Sequence, residues 1–306
     1  MTDLAAHLQD YLRLRRALGY KLEYPGFALP TLISYLDAAD SRTLTTELAI
    51  EWAKLPQGVQ PIHWAKRLSA ARRFARYLQT IDPATEVPPR DIFDSRQQRP
   101  APYLWSDTDI RHLVDAARLL KPELHAASCG TLFGLLAASG MRIGEALALA
   151  RGDVNIASGI VSIRDGKFGR ARLVPLHEST AAALDVYANL RDRICPKPQP
   201  NTFFLSAKGN ALSDKSVRPA FNRITTDLGL RTAVVRPRIH DLRHTFAVRT
   251  LINWQRAGAD VDGLLPKLST LLGHVDPVST YWYLQASPEL MELAATRYAG
   301  RFGVGP

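Results

Sequence analysis

Along the first hundred residues, apolar positions recur three and four apart in four separate segments, the spacing of helices that bury one face. In LAAHLQDYLRLRRALGY, Leu4, Leu8, Tyr11, Leu12 and Leu14 fall near one such face. A second segment reads FALPTLISYLDAAD. A third opens at Thr45-Thr46-Glu47 and runs through LAIEWAKL to Pro56; a threonine ahead of an acid and an apolar run is an N-cap pattern. The fourth, HWAKRLSAARRFARYLQTI, sets an apolar stripe of Trp64, Leu68, Ala71, Ala75 and Leu78 beside Lys66, Arg67, Arg72, Arg73 and Arg76. Residues 1–95 are therefore expected to form a helical domain. Residues 96–104, RQQRPAPYL, read as a linker, because Pro100 and Pro102 favour extended backbone.

From Trp105 the pattern changes. Ser106 precedes Asp107 and Asp109 as an N-cap with an acid three residues on. Helical spacing predicts helices over 107–120, 123–139, 143–151, 177–194, 213–229, 240–254, 261–272, 276–284 and 288–299. Between them, GIVSIRDGKFGRARLVPL alternates apolar and polar residues on either side of a Gly/Lys/Gly turn, a hairpin pattern. The fold class expected is mainly α with a small β-sheet or hairpin, in two domains, the second spanning 105–306.

Composition narrows the partners. A chain of 306 residues with 46% hydrophobic and 22% charged residues is an ordinary globular protein. Its 39 Lys+Arg against 29 Asp+Glu give a net charge of +10, which points to an acidic partner, nucleic acid first. Lys66, Arg67, Arg72, Arg73 and Arg76 are then candidates for DNA phosphate as well as for an ordinary solvated face. The two cysteines, Cys129 and Cys195, cannot build a disulfide framework or a cysteine-rich zinc site. No apolar run reaches about 18 residues and the first twenty lack the pattern of a secretory signal, so no membrane partner and a cytoplasmic location are expected.

Four short constellations carry candidate chemistry. In SGMRIGEAL, Arg142 opens a helix after Gly140, with Glu145 three residues on and within reach. Arginine there offers a planar donor fork to phosphate; a structural ion pair with Glu145 is the plainer reading of that segment alone. At the hairpin tip, Lys167 lies between Gly166 and Gly169, with Arg170 and Arg172 near enough to serve phosphate. In IHDLRHTFA, His240 and Arg243 share one helical face, while His244 is turned about 100° from Arg243 and is expected to have a different job. In LLGHVDPVSTYWY, Gly273 suits a helix end, Pro277 suits the first turn of the next helix, and Tyr283 follows His274 by nine residues. Tyr281 and Tyr283 point about 200° apart on a helix, so one of them at most faces a given site.

Taken together and in this order, these segments resemble the tyrosine recombinase (phage-integrase) family, over about residues 105–290. That family has two arginines, a hairpin lysine, an H-x-x-R pair, a second histidine and a nucleophilic tyrosine. On this chain they fall on Arg142, Lys167, His240 with Arg243, His274 and Tyr283, and the RLVPL after the hairpin is also family-like. The stretch RAGADVDGLLPKLSTLLGH is similar to the branch borne by transposons and integrative elements.

The resemblance implies a helical core-binding (SAM-like) domain over 1–95 that closes with the catalytic domain as a clamp on double-stranded DNA. It implies DNA strands cut and rejoined at specific sites through a 3′-phosphotyrosyl link, with no metal, nucleotide or other cofactor. Arg142 and Arg243 would clamp the phosphate with help from His274. His240 would move the tyrosine's proton and Lys167 would protonate the leaving 5′-oxygen. It further implies four protomers on DNA, accessory recombination proteins, and a C-terminal tail, with Leu290, Leu293 and Tyr298, against a neighbouring subunit. A topoisomerase of the related type acting alone, and a DNA-binding architectural protein without catalysis, are the competing readings.

Overall fold

A computed structural model of the chain describes residues 3–94, 101–164, 171–198, 200–276, 278–285, 289–292 and 295. The chain divides into two compact units, Met1–Pro100 and Ala101–Pro306. The hairpin tip, including Lys167 and Arg170, lies outside the described residues, as do Pro277, Leu293 and Tyr298.

The first unit holds the four expected helices: α1 (Leu4–Ala17), α2 (Glu23–Ala38), α3 (Thr46–Lys54) and α4 (Pro61–Leu78). Thr45 caps α3 by accepting from the Leu48 N–H at 3.3 Å. α2 begins four residues ahead of the FALP segment, because Pro25 in its first turn needs no helical N–H partner. The apolar stripes meet in one core of Leu8, Leu12, Leu29, Leu32, Leu36, Trp52, Leu68, Phe74 and Leu78, all nearly or fully buried. Trp52 keeps its indole N–H satisfied by donating to the Thr31 hydroxyl at 3.1 Å.

In the second unit, Ser106 and Asp109 form a reciprocal capping box that starts α5 (Asp107–Arg118). Then follow α6 (Glu123–Ser139), α7 (Ile143–Leu147), β1 (Val154–Asn155), β2 (Ile160–Ile163), β3 (Arg172–Pro175), α8 (Glu178–Ile194), α9 (Asp214–Asp227), α10 (Ile239–Arg256), α11 (Val261–Leu272) and α12 (Val278–Tyr281). α6 is apolar around its circumference and is correspondingly the central helix, packed against α5, α8 and α10. The strands form an antiparallel sheet in the order β1-β2-β3, with Val161 opposite Val174 and Ile163 opposite Arg172. Val161 and Ile163 face the core, in the phase the alternation predicts.

Two elements depart from expectation. The helix expected over 143–151 ends at Leu147, because the chain is drawn into backbone bonding elsewhere. The Leu149 carbonyl accepts from the Phe203 N–H at 2.7 Å, and Ala150 bridges Thr202. Likewise the helix expected over 276–284 is a single α-turn, α12, followed by a 3₁₀ turn over Trp282–Gln285. Leu290, expected to face a neighbouring subunit, instead packs into its own chain's cluster with Leu251, Leu265 and Leu272.

Gly140 ends α6 in the left-handed region, with φ of 63°, and a Cβ there would lie 2.4 Å from Phe246 Cδ1. Gly140→Ala should therefore cost at least about 2 kcal/mol of stability, from backbone strain and overpacking together. Gly144, inside α7 with open space around it, is the control. Gly144→Ala should be neutral or stabilise by about 0.5–1 kcal/mol, and urea unfolding of the two variants distinguishes them.

Candidate active site

Arg142 stands at the N-cap of α7 and is locked by its own helix. Its backbone N–H donates to Glu145 Oε2 at 3.0 Å, and its Nη1 donates to Glu145 Oε1 at 2.7 Å. Glu145 itself is nearly buried and also receives both terminal nitrogens of Arg172, at 3.1 and 2.7 Å. One carboxylate thus spans two guanidinium groups in paired geometry.

The end of α11 completes the assembly. A helix leaves its last carbonyls without intrahelical partners. Here Ser269 and Thr270 are served by the N–H groups of Gly273 and His274. The next three carbonyls each take a guanidinium: Leu271 from Arg172 Nε at 2.8 Å, Leu272 from Arg243 Nη2 at 2.7 Å, and Gly273 from Arg142 Nη2 at 2.8 Å. The negative end of the helix dipole favours that arrangement. Arg243, 2% exposed, also donates from Nη1 to the Gly140 carbonyl at 2.7 Å, tying the end of α6 to the end of α11. Both terminal residues are left-handed glycines, and a Cβ on Gly273 would stand 2.6 Å from Arg172 Nη1.

Tyr283 enters from the 3₁₀ turn. It is 2% exposed, whereas Tyr281 is 52% exposed, so the two phenols do point in opposite directions. The Tyr283 phenol lies near enough to the Arg243 guanidinium to favour its charged form. Its ring stacks on His274 at 6.0 Å between centroids and meets His244 at 5.4 Å. His244 in turn lies edge-on to His240 at 4.7 Å. The His274 ring is fixed through Nδ1, 2.7 Å from the buried Thr280 hydroxyl.

The site is strongly polarised. Burial alone would raise the Glu145 carboxyl, but its bonds to Arg172 and Arg142 outweigh that and bring it down to about 2. Burial lowers Arg243 to about 10, helped by Arg142 and opposed by Tyr283 and Glu145. His274 is lowered to about 4 by burial and by Arg243, Arg142, His240 and Arg172. His240 is also lowered to about 4, by desolvation on its packed side and by Arg243, Arg238 and Arg142, with Asp241 opposing. His240 is an exposed residue, which moderates its shift. Both imidazoles are therefore neutral near pH 7.

Of the residues expected to act together, Arg142, His240, Arg243, His274 and Tyr283 converge here. Arg172, expected among phosphate contacts, is buried at the centre of the ion-pair network, with a side chain only 8% exposed. Two further residues complete the cluster. Glu145 is the ion-pair partner that its spacing offers Arg142. His244 is turned away from Arg243, but its i+4 spacing from His240 places both rings on one face of α10. On α4, in the other unit, Arg67 lies 3.9 Å from the Trp52 ring centroid and donates to the Trp52 carbonyl. Arg72 donates to the Pro88 and Pro89 carbonyls. Lys66, Arg73 and Arg76 remain exposed, and their spacing keeps them on one side of the helix. Among the described residues, no helix is long and apolar enough to cross a membrane.

A histidine lowered in the fold contributes stability that is present above its unfolded value near 6.5 and lost as pH falls through its folded value. Glu145 stays ionised throughout that window. Thermal melts should therefore show a falling Tm from pH 6.5 down to pH 4, and a His240→Gln/His274→Gln double variant should flatten that slope.

Residues 106–289 match the Phage integrase family. A protein named as an integrase/recombinase, y4rB, from Sinorhizobium fredii is 41% identical over 310 aligned residues, 99% of each chain. The tyrosine recombinase XerC of Pelotomaculum thermopropionicum is 30% identical over 77% of this chain and 74% of its own. Among solved structures, the Tn1549 transposon integrase in complex with transposon right end DNA superposes with a TM-score of 0.64 at 18% identity, covering 99% of this chain and 100% of that one. The XerH site-specific recombinase in a post-cleavage complex with palindromic difH gives 0.63 at 18% identity, covering 87% and 76%. The likeness to these two is one of fold. The near full-length similarity to y4rB, with the match over 106–289, decides the relationship: the chain belongs to the phage integrase family and is a tyrosine recombinase.

Proposed function

We propose that this protein cuts and rejoins double-stranded DNA at specific sites, with Tyr283 as the nucleophile and a 3′-phosphotyrosyl link as the intermediate. The observation that carries the reading is that Tyr283 is buried against His274 within the same chain, beside the end of α11 on which both Arg142 and Arg243 are anchored.

A free phenol has a pKa near 10 and is a poor nucleophile at neutral pH. Attack on phosphorus gathers negative charge on the non-bridging oxygens. A guanidinium carries five N–H donors, and the bonds to Glu145 and to helix-end carbonyls engage only part of each set on Arg142 and Arg243. The remaining donors are available to those oxygens. Removing one such donor costs roughly 10²–10³ in rate in comparable sites. His240, neutral near pH 7, can take the phenolic proton as the oxygen–phosphorus bond forms. The bond to the 5′-oxygen then breaks, and Lys167 protonates the departing oxygen. The phosphotyrosine keeps the energy of the phosphodiester, so an incoming 5′-hydroxyl reseals the strand without ATP. In this scheme the arginines carry the charge that a metal carries in other phosphoryl transferases.

The first unit is proposed as the second arm of a DNA clamp, with exposed Lys66, Arg73 and Arg76 of α4 facing phosphate and Arg67 and Arg72 bracing the helix. The XerH and Tn1549 structures, both solved on DNA, support a DNA-binding role; a tetramer on two sites is proposed by family analogy. The tail beyond Leu290 remains the proposed contact to a neighbouring protomer.

A suicide substrate with a nick beside the cleavage point tests the reading. Wild type should form a covalent protein–DNA adduct, Tyr283→Phe should form none while binding DNA nearly as well, and Tyr281→Phe should behave as wild type. An adduct persisting in Tyr283→Phe would reassign the nucleophile. Affinity for DNA should fall steeply with salt, as expected when several phosphates are contacted; a flat dependence in a filter-binding titration would remove the clamp.

A further inference from the structure

We propose that Arg172 is a positioning residue for strand cleavage, acting through Glu145 on Arg142 and through the Leu271 carbonyl on the end of α11, rather than by touching DNA. This rests on the reading above, in which Arg142 holds the scissile phosphate.

All three guanidinium nitrogens of Arg172 are bonded within the protein. Its two terminal nitrogens meet the two oxygens of Glu145, and its Nε meets the Leu271 carbonyl. The whole planar fork is therefore turned inward, away from solvent. Glu145 is the same carboxylate that receives Arg142 through backbone and side chain. Without Arg172, a nearly buried carboxylate would keep only one cationic partner, and Arg142 would be drawn more fully onto it. With Arg172 present, the carboxylate is shared, and Arg142 keeps its other arm on Gly273. The fit is specific in shape: Gly273 lacks the Cβ that would collide with Arg172 Nη1.

The location of Arg172 adds a second consequence. It is the first residue of β3, paired with Ile163 on β2, so it sits at the end of this strand pair from which the chain segment containing Lys167 departs. Its bond to Leu271 pins that end of the pair to the helix end that also anchors Arg142 and Arg243. One side chain thus fixes the origin of the lysine-bearing segment relative to the two clamping arginines. A misplacement of about 1 Å in such a constellation lowers rates by about 10²-fold.

The test is a cycle of variants in the full-length protein, scored by adduct formation on the suicide substrate, with DNA affinity and melting measured alongside. The starting condition is adduct with wild type and none with Tyr283→Phe; failure there rejects the nucleophile assignment and is separate from the fate of Arg172. Arg172→Gln should slow adduct formation roughly 10²-fold with DNA affinity within about twofold of wild type. Arg172→Lys keeps the charge but one ammonium cannot serve both Glu145 oxygens and Leu271, so it should be slowed at least about tenfold. In a Glu145→Gln background, Arg172→Gln should add less than about threefold, because both changes break one network. Multiplicative effects, or a loss of DNA affinity matching the loss of cleavage, would overturn the proposal in favour of an independent or DNA-contacting role. Wild-type rates in Arg172→Gln would overturn it as well. So would failure of both Arg172 variants to fold, since the side chain would then serve the fold alone.

Discussion

Arg142, Arg172 and Arg243 each donate to a carbonyl at the C-terminal end of α11, and this shared anchor is the constraint on which the larger unit's site depends. Two like charges roughly 5 Å apart repel by about 3 kcal/mol at an effective dielectric of 20. Three guanidinium groups cannot collect in a protein interior without a counterweight. Here it has two parts: the partial negative charge of a helix end whose carbonyls need donors anyway, and the single carboxylate of Glu145. The helix thereby completes its own hydrogen bonding with side chains that come from α7, β3 and α10, elements far apart in sequence.

The counterweight is incomplete by design of the residue types. Among the described residues of the cluster, three cations face one anion, so it keeps a net positive charge even with these carbonyls engaged. Burial first, and the neighbouring arginines with it, hold both histidines neutral, while the bonds to Arg172 and Arg142 keep Glu145 ionised far below the usual carboxylate range. A buried unbalanced charge lowers stability, and the same imbalance makes the site receptive to a phosphodiester. The donors are oriented before DNA arrives, because carbonyls and Glu145 fix each guanidinium plane. Little reorganisation is then left for the moment at which charge builds on phosphorus.

Much of this was legible in the chain, and the limits have physical causes. The long amphipathic helices follow from residue spacing, and their caps at Thr45 and at Ser106–Asp109 follow from local hydrogen bonding, which needs no tertiary information. The 143–151 segment reads as one helix because its apolar spacing is helical. Only the pairing of Leu149 and Ala150 with the distant Phe203 and Thr202 stops it at Leu147. The two-residue strand β1 is too short to show any alternation. At the site, five of the expected residues converge because their motif order is distinctive. Arg172 could not be told from its neighbour Arg170 by sequence, since an arginine after a hairpin looks alike whether it turns inward or outward. Arg67 and Arg72 share that ambiguity: only the Trp52 ring and the proline carbonyls reveal where their guanidinium groups go.

The tyrosine shows how far packing decides chemistry. Tyr281 and Tyr283 differ by two residues, a rotation of about 200° in an α-helix and about 240° in a 3₁₀ turn. Either geometry sends them to opposite sides, so the identity of the inward phenol depends on phase alone. That phase is set by Thr280, buried against His274, and by the ring of Tyr283 itself, which belongs to the apolar cluster of α10 and α11. The proposed nucleophile is thus held by its ring in the core, beside His274. A change in the packing of Leu251, Leu268 or Leu272 would move the phenolic oxygen relative to the guanidinium cluster without touching any charged group. The apolar face of α11 and its carbonyl end therefore act on the same reacting atom, one through shape and the other through charge.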